Sequence, residues 1–278
     1  MIVILDRKHV GWYILLCIIQ TPCAVADMPA EEGHAPVRNL RFGHLTTNDG
    51  LSQGYVTAIL QDRRGFMWFA TRDGLNRYDG NGFVVYKHNP NDPGSLSSNF
   101  IEDLVEDDHG YLWISTNTGV NKFDPISDRF TRYFHDPKNP NSIGGTYITR
   151  IARDRRGCLW FGTQDSGLDK FDPTTGRFTH YRDDSDGRFV GRINHVVEDS
   201  HGNIWFVGDG GLFHLNQTTG QITRPPAIRN GRSAESLYAD EAGNLWMLAN
   251  SAMIGLVKYD LRTERFTNYP IADLCPAH

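Results

Sequence analysis

Residues 62–71 read DRRGFMWFAT, and this stretch decides the fold. Asp62 can accept hydrogen bonds from the backbone amides ahead of it, and Gly65 can take the positive φ that the end of a tight turn requires. The chain then returns as a short run that is apolar on both faces, with Trp68 in the middle. Such a strand is typical of a sheet packed between two neighbours, so the stretch predicts a tight turn leading into a buried strand.

The same pattern occurs five times along the chain. Its tryptophans are 45, 47, 45 and 41 residues apart, at Trp68, Trp113, Trp160, Trp205 and Trp246. Each copy holds four short β-prone runs separated by turns, and a period of this length is typical of a β-propeller blade. The sequence therefore predicts an all-β fold, a β-propeller of four-stranded antiparallel blades, with about five blades present, at residues 52–87, 98–134, 146–182, 190–224 and 234–270.

Composition restricts the classes of partner. The 278 residues carry a net charge of −5, and the Lys and Arg residues are scattered without a basic run, so we expect no nucleic-acid partner. The Cys and His residues lack metal-binding spacings, and we predict no metal and no cofactor. A disulfide between Cys158 and Cys275 stays open, but the position of Cys158 within a predicted second strand favours an unpaired, partly buried thiol.

The first 26 residues differ from the rest of the chain. Arg7 and Lys8 precede an apolar run from Val10 to Ile19, and Ala24 and Ala26 are the small residues expected before a signal-peptidase cut. A membrane anchor is the alternative, but about ten apolar residues are too few to span a bilayer. We therefore predict a signal peptide at 1–26, a linker at 27–39, propeller repeats at 40–278 and a periplasmic location.

The segment from Leu45 to Tyr78, LTTNDGLSQGYVTAILQDRRGFMWFATRDGLNRY, resembles the opening of the two-component regulator propellers. These are the extracytoplasmic sensor regions of bacterial hybrid histidine kinases and of related diguanylate cyclases. The resemblance runs from about Phe42 to Tyr269 in the recurring pattern D-x-x-G-x-(L/M/I)-W followed by G-(L/V)-x-(K/R)-(Y/F)-(D/N). The fourth copy departs from the pattern at Val207–Asp209 and at His214, and the fifth departs further, over residues 247–254.

The resemblance implies further parts. Family members typically carry two propellers, a small β-sandwich domain, a membrane-spanning helix and a cytoplasmic output domain. The resemblance therefore implies that this chain is the N-terminal fragment of a receptor anchored in the inner membrane, with dimerisation of the full-length receptor as one option. Residues 40–42 resemble the outer strand of a blade whose inner strands are missing, which predicts an incomplete ring.

No catalytic set of residues emerges from the sequence. His109 and His201 share a turn position that other repeats fill with Arg or Ala, so we expect solvated turn residues there. An aspartate that recurs once per blade is expected to cap the turn, and a tryptophan flanked by apolar residues is expected to pack between blades rather than to form a ligand box. We predict that this portion is not an enzyme, whereas a full-length parent could carry a kinase or diguanylate cyclase domain.

Polar residues vary at one edge of the predicted blades. The turn between the second and third strands and the loop to the next blade should emerge on one face, around the mouth of the central channel. Exposed polar side chains there suit hydrogen bonding to a polar, saccharide-like ligand, although ordinary exposed turns remain the alternative. The predicted ligand-binding residues are Arg72, Asp73, Asn117, Gln164, Asp165, Asp209 and Asn250.

The sequence thus favours an extracytoplasmic ligand-sensing propeller of a bacterial signal-transduction receptor. The alternative is a periplasmic propeller lyase or hydrolase acting on a secreted polar substrate. An acid/base pair or a His-metal cluster near the channel would favour this alternative.

Overall fold

The computed structural model describes residues 2–5, 42–225, 234–249 and 255–270. Twenty of the strands in these ranges form five four-stranded antiparallel sheets, which confirms the predicted all-β architecture of four-stranded blades. Ahead of them, β1 (Ile2–Leu5) pairs antiparallel with β2 (Phe42–Leu45), and a single 3-10 turn covers Thr47–Asp49. Most of the predicted signal peptide and the whole predicted linker lie outside the described residues.

Each blade is a meander of four strands that follow one another in the chain. Blade 1 contains β3 (Val56–Gln61), β4 (Met67–Thr71), β5 (Gly74–Tyr78) and β6 (Phe83–Tyr86). Blade 2 contains β7 (Ile101–Glu106), β8 (Leu112–Thr116), β9 (Gly119–Asp124) and β10 (Arg129–Tyr133). Blade 3 contains β11 (Ile148–Arg153), β12 (Leu159–Thr163), β13 (Leu168–Asp172) and β14 (Arg177–Tyr181). Blade 4 contains β15 (Ile193–Glu198), β16 (Ile204–Gly208), β17 (Gly211–Leu215) and β18 (Ile222–Thr223). Blade 5 contains β19 (Ala234–Ala239), β20 (Asn244–Ala249), β21 (Gly255–Asp260) and β22 (Arg265–Pro270).

The turn between the first and second strands is built around its aspartate, as predicted. In blade 1, Oδ1 of Asp62 accepts the amides of Arg64 and Phe66 at 2.9 and 3.0 Å. Gly65 completes this turn at φ 94°, a conformation that a side chain would strain. The same carboxylate also accepts the indole Nε1–H of Trp68 at 2.9 Å. Because one residue ties the turn to the next strand, each repeat fixes its own first hairpin.

The indole bond recurs in all five blades, with Asp–Trp distances of 2.8 to 2.9 Å. The tryptophans of the first four blades are buried between neighbouring sheets, with exposed fractions of 0, 1, 0 and 7%. Trp113, for example, lies 5.2 Å from the ring of Phe171 in the next blade. The predictions of a turn-capping aspartate and a packing tryptophan are therefore confirmed for these blades. The direct bond between the two side chains is an addition to these predictions.

Neighbouring blades contact each other through their first strands, because the first strand of each blade packs against the first strand of the next blade. Every first strand contains a one-residue irregularity near its start. In blades 1 and 3 the extra residue is a threonine, Thr57 or Thr149, whose hydroxyl donates to the carbonyl of the next blade's first strand, at Ile101 or Ile193. In blade 4 the amide of Asn194 donates to Ala234 in the same way. The irregularity thus supplies a side chain that links one blade to the next.

Cys158 is a buried, unpaired thiol, in agreement with the favoured interpretation, and burial raises its pKa. Cys275 lies outside the described residues. Across the described part of the chain, we find no helix with the length and apolar character needed to cross a membrane.

Candidate functional site

The turns between second and third strands meet the residues that precede the first strands, and together they form one edge of the blades, called here the loop edge. In three blades the first residue of this turn donates its backbone amide to the carbonyl of the residue just before the first strand. The pairs are Asn117 with Phe100 at 3.4 Å, Gln164 with Tyr147 at 3.0 Å and Asp209 with Arg192 at 3.2 Å. Three of the predicted ligand-binding residues are therefore held at equivalent places in successive blades.

Below the loop edge, a buried hydrogen-bond network fixes blade 1. The side chain of Asn76, which has no exposed surface, accepts the amide of Ser52 at 2.8 Å and donates to the Ser52 hydroxyl at 2.9 Å. That hydroxyl lies 2.9 Å from the hydroxyl of Thr71, which in turn donates to the carbonyl of Gly74 at 2.9 Å. The network joins the loop before the first strand to the turn between the second and third strands.

Blade 2 repeats this network with Ser97, Thr116 and Asn121. Blade 3 keeps the threonine, Thr163, but has Asp169 in place of the asparagine and Gly144 in place of the serine. The three blades therefore hold their loop edges rigidly through buried polar side chains.

Arg72 connects blade 1 to blade 2 at the loop edge. Its guanidinium carbon lies 4.3 Å from the ring centre of Tyr55 and 4.8 Å from that of Phe100. A guanidinium between two aromatic rings is held by cation–π attraction and keeps its hydrogen-bond donors at the rim of the rings. Tyr55 is 56% exposed, so one aromatic surface remains open to solvent.

Tyr147 continues the contacts into blade 3. Its ring is 6.4 Å from that of Phe100 in an edge-on arrangement, and its hydroxyl donates to the Glu102 carboxylate of blade 2. Burial and then this bond raise the pKa of Tyr147 to about 12, so the phenol stays protonated at neutral pH. Tyr55, Arg72, Phe100, Glu102 and Tyr147 thus form one continuous set of contacts across three blades, called here the edge cluster.

The remaining predicted residues lie around the edge cluster in different roles. Asp73 is engaged, because it accepts from Lys87 at 2.8 Å and from Asn99 at 3.5 Å. Asn117 has a buried side-chain oxygen for which the described residues supply no hydrogen-bond partner, a feature that calls for a functional or solvent explanation. Gln164, Asp165 and Asp209 are exposed, and Asn250 lies outside the described residues.

The structure thus brings Arg72, Asn117, Gln164 and Asp209 to one edge, but their aromatic neighbours were missed from the sequence. A signal was present, because Tyr55, Phe100 and Tyr147 are 45 and 47 residues apart, the same intervals as the first three tryptophans. An aromatic residue directly before the first strand therefore recurs in the first three blades. Blade 4 has Arg192 at this position.

The described residues do not assemble groups of at least three His, Cys, Asp or Glu side chains able to hold a metal ion. At the loop edge Glu102 is engaged with Tyr147 and Asp73 with Lys87, whereas Asp165 and Asp209 are exposed. His109 and His201, the two histidines weighed as catalytic candidates, are exposed residues of the turns at the opposite ends of the second strands. The site offers aromatic surface and hydrogen-bond groups, which suit binding.

Comparison with protein families agrees with the repeat pattern. The model of the two component regulator propeller family matches residues 50–73, 95–118 and 142–165. Each matched segment starts in the loop before a first strand and ends in the turn that closes the second strand, so each contains the residues that build the loop edge. The matched segments belong to blades 1, 2 and 3.

Individual relatives are similar over parts of their length. A 58-residue stretch, 21% of this chain, is 48% identical to histidine kinase P4 of Formosa agariphila and covers 4% of that protein. The extracellular domain of BT3049 from B. thetaiotaomicron, described as belonging to a hybrid two component system, superposes with a TM-score of 0.71 at 27% identity, over 82% of this chain and 32% of that domain. The extracellular domain of BT4673 from the same organism shares the fold at 22% identity and a TM-score of 0.65, over 83% of this chain and 34% of that one. The chain spans about a third of the length of these structures.

Proposed function

This chain carries two-component regulator propeller repeats, and from this premise we propose that it is an extracytoplasmic ligand-sensing propeller of a bacterial signal-transduction receptor. The relatives named above are a histidine kinase and extracellular domains of signalling systems. The proposal places the blades outside the cytoplasm, in the periplasm, with further blades and a membrane-linked output domain as the partners through which binding acts. The chain itself is proposed to bind without catalysing a reaction.

The edge cluster is the observation that carries this proposal. It combines an exposed aromatic surface on Tyr55, guanidinium donors on Arg72 and a protonated phenol on Tyr147. Aromatic faces stack against the apolar faces of sugar rings, while guanidinium and amide groups bond hydroxyls. A polar, saccharide-like ligand is therefore the class that we propose. Asn117, Gln164, Asp165 and Asp209 would supply additional hydrogen bonds from neighbouring turns.

The contacts of the edge cluster also provide a route by which ligand binding at one blade affects the neighbouring blades. Arg72 contacts residues of blades 1 and 2, and Tyr147 of blade 3 donates to Glu102 of blade 2. A ligand that stacks on Tyr55 or displaces Arg72 would change contacts that cross blade boundaries. In a repeat structure, stability depends on the interfaces between neighbours, so binding at one boundary can alter the packing of the next.

Binding of oligosaccharides by the purified chain tests the proposal. Titration calorimetry against a panel of neutral and acidic oligosaccharides should detect one class that binds, and Arg72→Ala and Tyr55→Ala should each weaken it by about tenfold or more, which corresponds to the loss of about 1.4 kcal/mol. Tyr238→Ala removes a 64% exposed tyrosine of blade 5 and is the matched control. Equal loss in all three variants, or unchanged affinity in the two edge variants, would contradict a site at the edge cluster.

The same panel separates binding from catalysis. A lyase would release products with a new unsaturated bond, and a hydrolase would release new reducing ends, and both can be measured in the calorimetry samples after incubation. Recovery of the oligosaccharides unchanged supports the sensor. Turnover that disappears in Arg72→Ala would favour the enzyme alternative.

A further inference from the structure

His180 lies on β14, the outermost strand of blade 3, and both of its ring nitrogens face acceptors. Nδ1 is 2.7 Å from Oδ1 of Asp169 on β13, and Nε2 is 3.1 Å from the carbonyl oxygen of Pro140 in the loop that enters the blade. A carbonyl oxygen can only accept, and Asp169 already accepts the amide of Gly144 at 2.6 Å through its other oxygen. Two donors on one imidazole require the imidazolium form.

Three residues of blade 3 differ together from those of blade 2. Blade 2 has Ser97, Asn121 and Arg132 where blade 3 has Gly144, Asp169 and His180. A Cβ on Gly144 would lie 2.8 Å from Oδ1 of Asp169 and 3.0 Å from Nδ1 of His180, so a serine would not fit beside this pair. The glycine thus leaves the space that the Asp169–His180 pair occupies, which accounts for the three differences occurring together.

Arg132 performs in blade 2 the task that His180 performs in blade 3. Its guanidinium donates to the carbonyls of Asp92, Ser95 and Leu96, in the loop between blades 1 and 2. A guanidinium keeps its charge at every pH that a protein survives. An imidazole does not, because its proton is lost near neutral pH.

We propose that His180 is a pH-dependent clamp, which in its protonated form fastens the loop of residues 136–144 to the outer strands of blade 3. On deprotonation the imidazole keeps one N–H. The charge-assisted bond to Asp169 retains this proton on Nδ1, and the lone pair of Nε2 then faces the Pro140 carbonyl. Two acceptors repel each other, so the loop loses its contact with β14.

The charges around His180 set the direction of the effect. The bond to Asp169 is the largest influence and raises the pKa of His180 above its ordinary value, while burial and the charge of Arg182, just after β14, oppose it. Asp169 faces it from β13 and Pro140 from the loop. Because the folded-state pKa exceeds the unfolded one, the clamp is fully present below about pH 6.5 and is lost as the pH rises through the folded-state pKa.

Loosening of this loop reaches the loop edge. Gly144 and Gly145 are followed within two residues by Tyr147, and a Cβ on Gly145 would lie 3.1 Å from the Asp165 carboxylate. The clamp therefore holds the chain segment that positions the blade 3 part of the edge cluster. Mild acid strengthens the contact between this segment and β14, and mild alkali weakens it.

Hydrogen exchange of the intact chain tests the clamp with an internal control. Peptides covering residues 135–147 report the His180 loop, and those covering 88–100 report the Arg132 loop in the same sample. After correction for intrinsic rates, the protection of the His180 loop relative to the Arg132 loop should fall between about pH 6 and pH 8.5, by up to about tenfold for each unit by which folding raises the pKa of His180. A ratio independent of pH would overturn the proposal.

Variants separate the clamp from general loosening. His180→Arg should make the protection ratio of the two loops independent of pH, and His180→Gln should keep that ratio low at every pH. Persistence of the pH dependence in His180→Gln would assign it to another group and overturn the proposal. As a direct readout, the ring nitrogens of His180 should titrate above about pH 6.5 in NMR spectra, and Asp169→Asn should lower that midpoint. A midpoint at or below the ordinary histidine value would contradict the imidazolium.

Discussion

Blade 2 and blade 4 have the same four-stranded meander and the same Asp–Trp bond, but they stabilise the loop edge by different means. Blade 2 uses the buried polar network of Ser97, Thr116 and Asn121. In blade 4 the position of Asn121 is occupied by Phe213, which stacks on Phe206 with ring centres 4.9 Å apart. The network of blade 2 consists of directional hydrogen bonds, whereas the ring stack of blade 4 contains no hydrogen bond. The same backbone meander therefore accommodates either a polar or an aromatic core.

The two blades also differ beside the tryptophan. In blade 2 the ammonium of Lys122 lies 5.6 Å from the ring centre of Trp113. In blade 4 the ring of His214 lies 4.6 Å from that of Trp205 in a tilted arrangement, and burial lowers the pKa of this histidine, so a neutral ring replaces the cation. The family model matches blades 1, 2 and 3, which are the blades with the polar core. The matched segment of blade 2, for example, contains Ser97, Thr116 and the Asp107–Trp113 pair but ends before Asn121.

The largest effect is expected from removing the blade 4 stack. Phe213 has no exposed surface, so Phe213→Ala should lower the free energy of unfolding by about 3 to 5 kcal/mol through lost burial and a cavity. Urea denaturation measures the change. Phe134→Ala removes a 49% exposed ring and is the control. If the two variants were equally stable, the stack would not be the core of blade 4.

Removal of the blade 2 network should cost less. Asn121→Ala removes the acceptor of the Ser97 backbone amide and the bond that Asn121 donates to the Ser97 hydroxyl, and the loss of these two bonds should cost about 2 to 3 kcal/mol. Denaturation of this variant is compared with Asn91→Ala, an exposed loop asparagine. A loss as large as that of Phe213→Ala would remove the energetic distinction between the two blades.

A pH effect should distinguish the first strands of the two blades. Asp103 of blade 2 accepts the Ile151 amide of blade 3, and at the equivalent place His195 of blade 4 accepts the Leu237 amide of blade 5 through Nδ1 at 3.2 Å. Burial and then Arg150 lower the pKa of His195 to about 4. His195 therefore binds a proton more weakly in the folded chain than in the unfolded chain. This difference should lower the free energy of unfolding by about 2 kcal/mol when the pH falls from 7 to 5.

His195→Gln keeps a side-chain acceptor and should remove this acid-dependent loss, which thermal melts at pH 5 and pH 7 measure. Its sign is opposite to that of His180, whose contribution favours mild acid. An unchanged pH dependence in His195→Gln would show that His195 is not the group that resists protonation.

The smallest effect is expected from a single hydroxyl of the network. Thr116→Val preserves shape and removes the bond from the Thr116 hydroxyl to the Gly119 carbonyl, at 3.0 Å, for a loss of about 1 kcal/mol. Thr131→Val, on the exposed side of β10, is the control. Because blade 4 has Gly208 at the equivalent position, a neutral result in blade 2 would mean that the hydroxyl does not distinguish the two blades.

Sequence repetition predicted the blades because each turn is encoded locally, in a four-residue segment that begins with an aspartate and ends with a glycine. The buried tryptophans followed from the apolar residues around them. Of the edge cluster only Arg72 was predicted, as a variable polar turn residue, because its contacts with Tyr55 and Phe100 depend on two blades. Contacts between repeats are set by how blades pack, and one repeat read by itself does not contain them.

The bond between aspartate and indole gives every blade a spectroscopic label of its own. Five of the six tryptophans each sit in a different blade with the indole N–H held by a carboxylate. Five indole resonances should therefore be displaced from the position of free tryptophan, and each should return there when its own turn opens. Since neighbouring repeats stabilise one another pairwise, the order in which these signals change during denaturation gives the sequence in which the blades come apart, without any introduced probe.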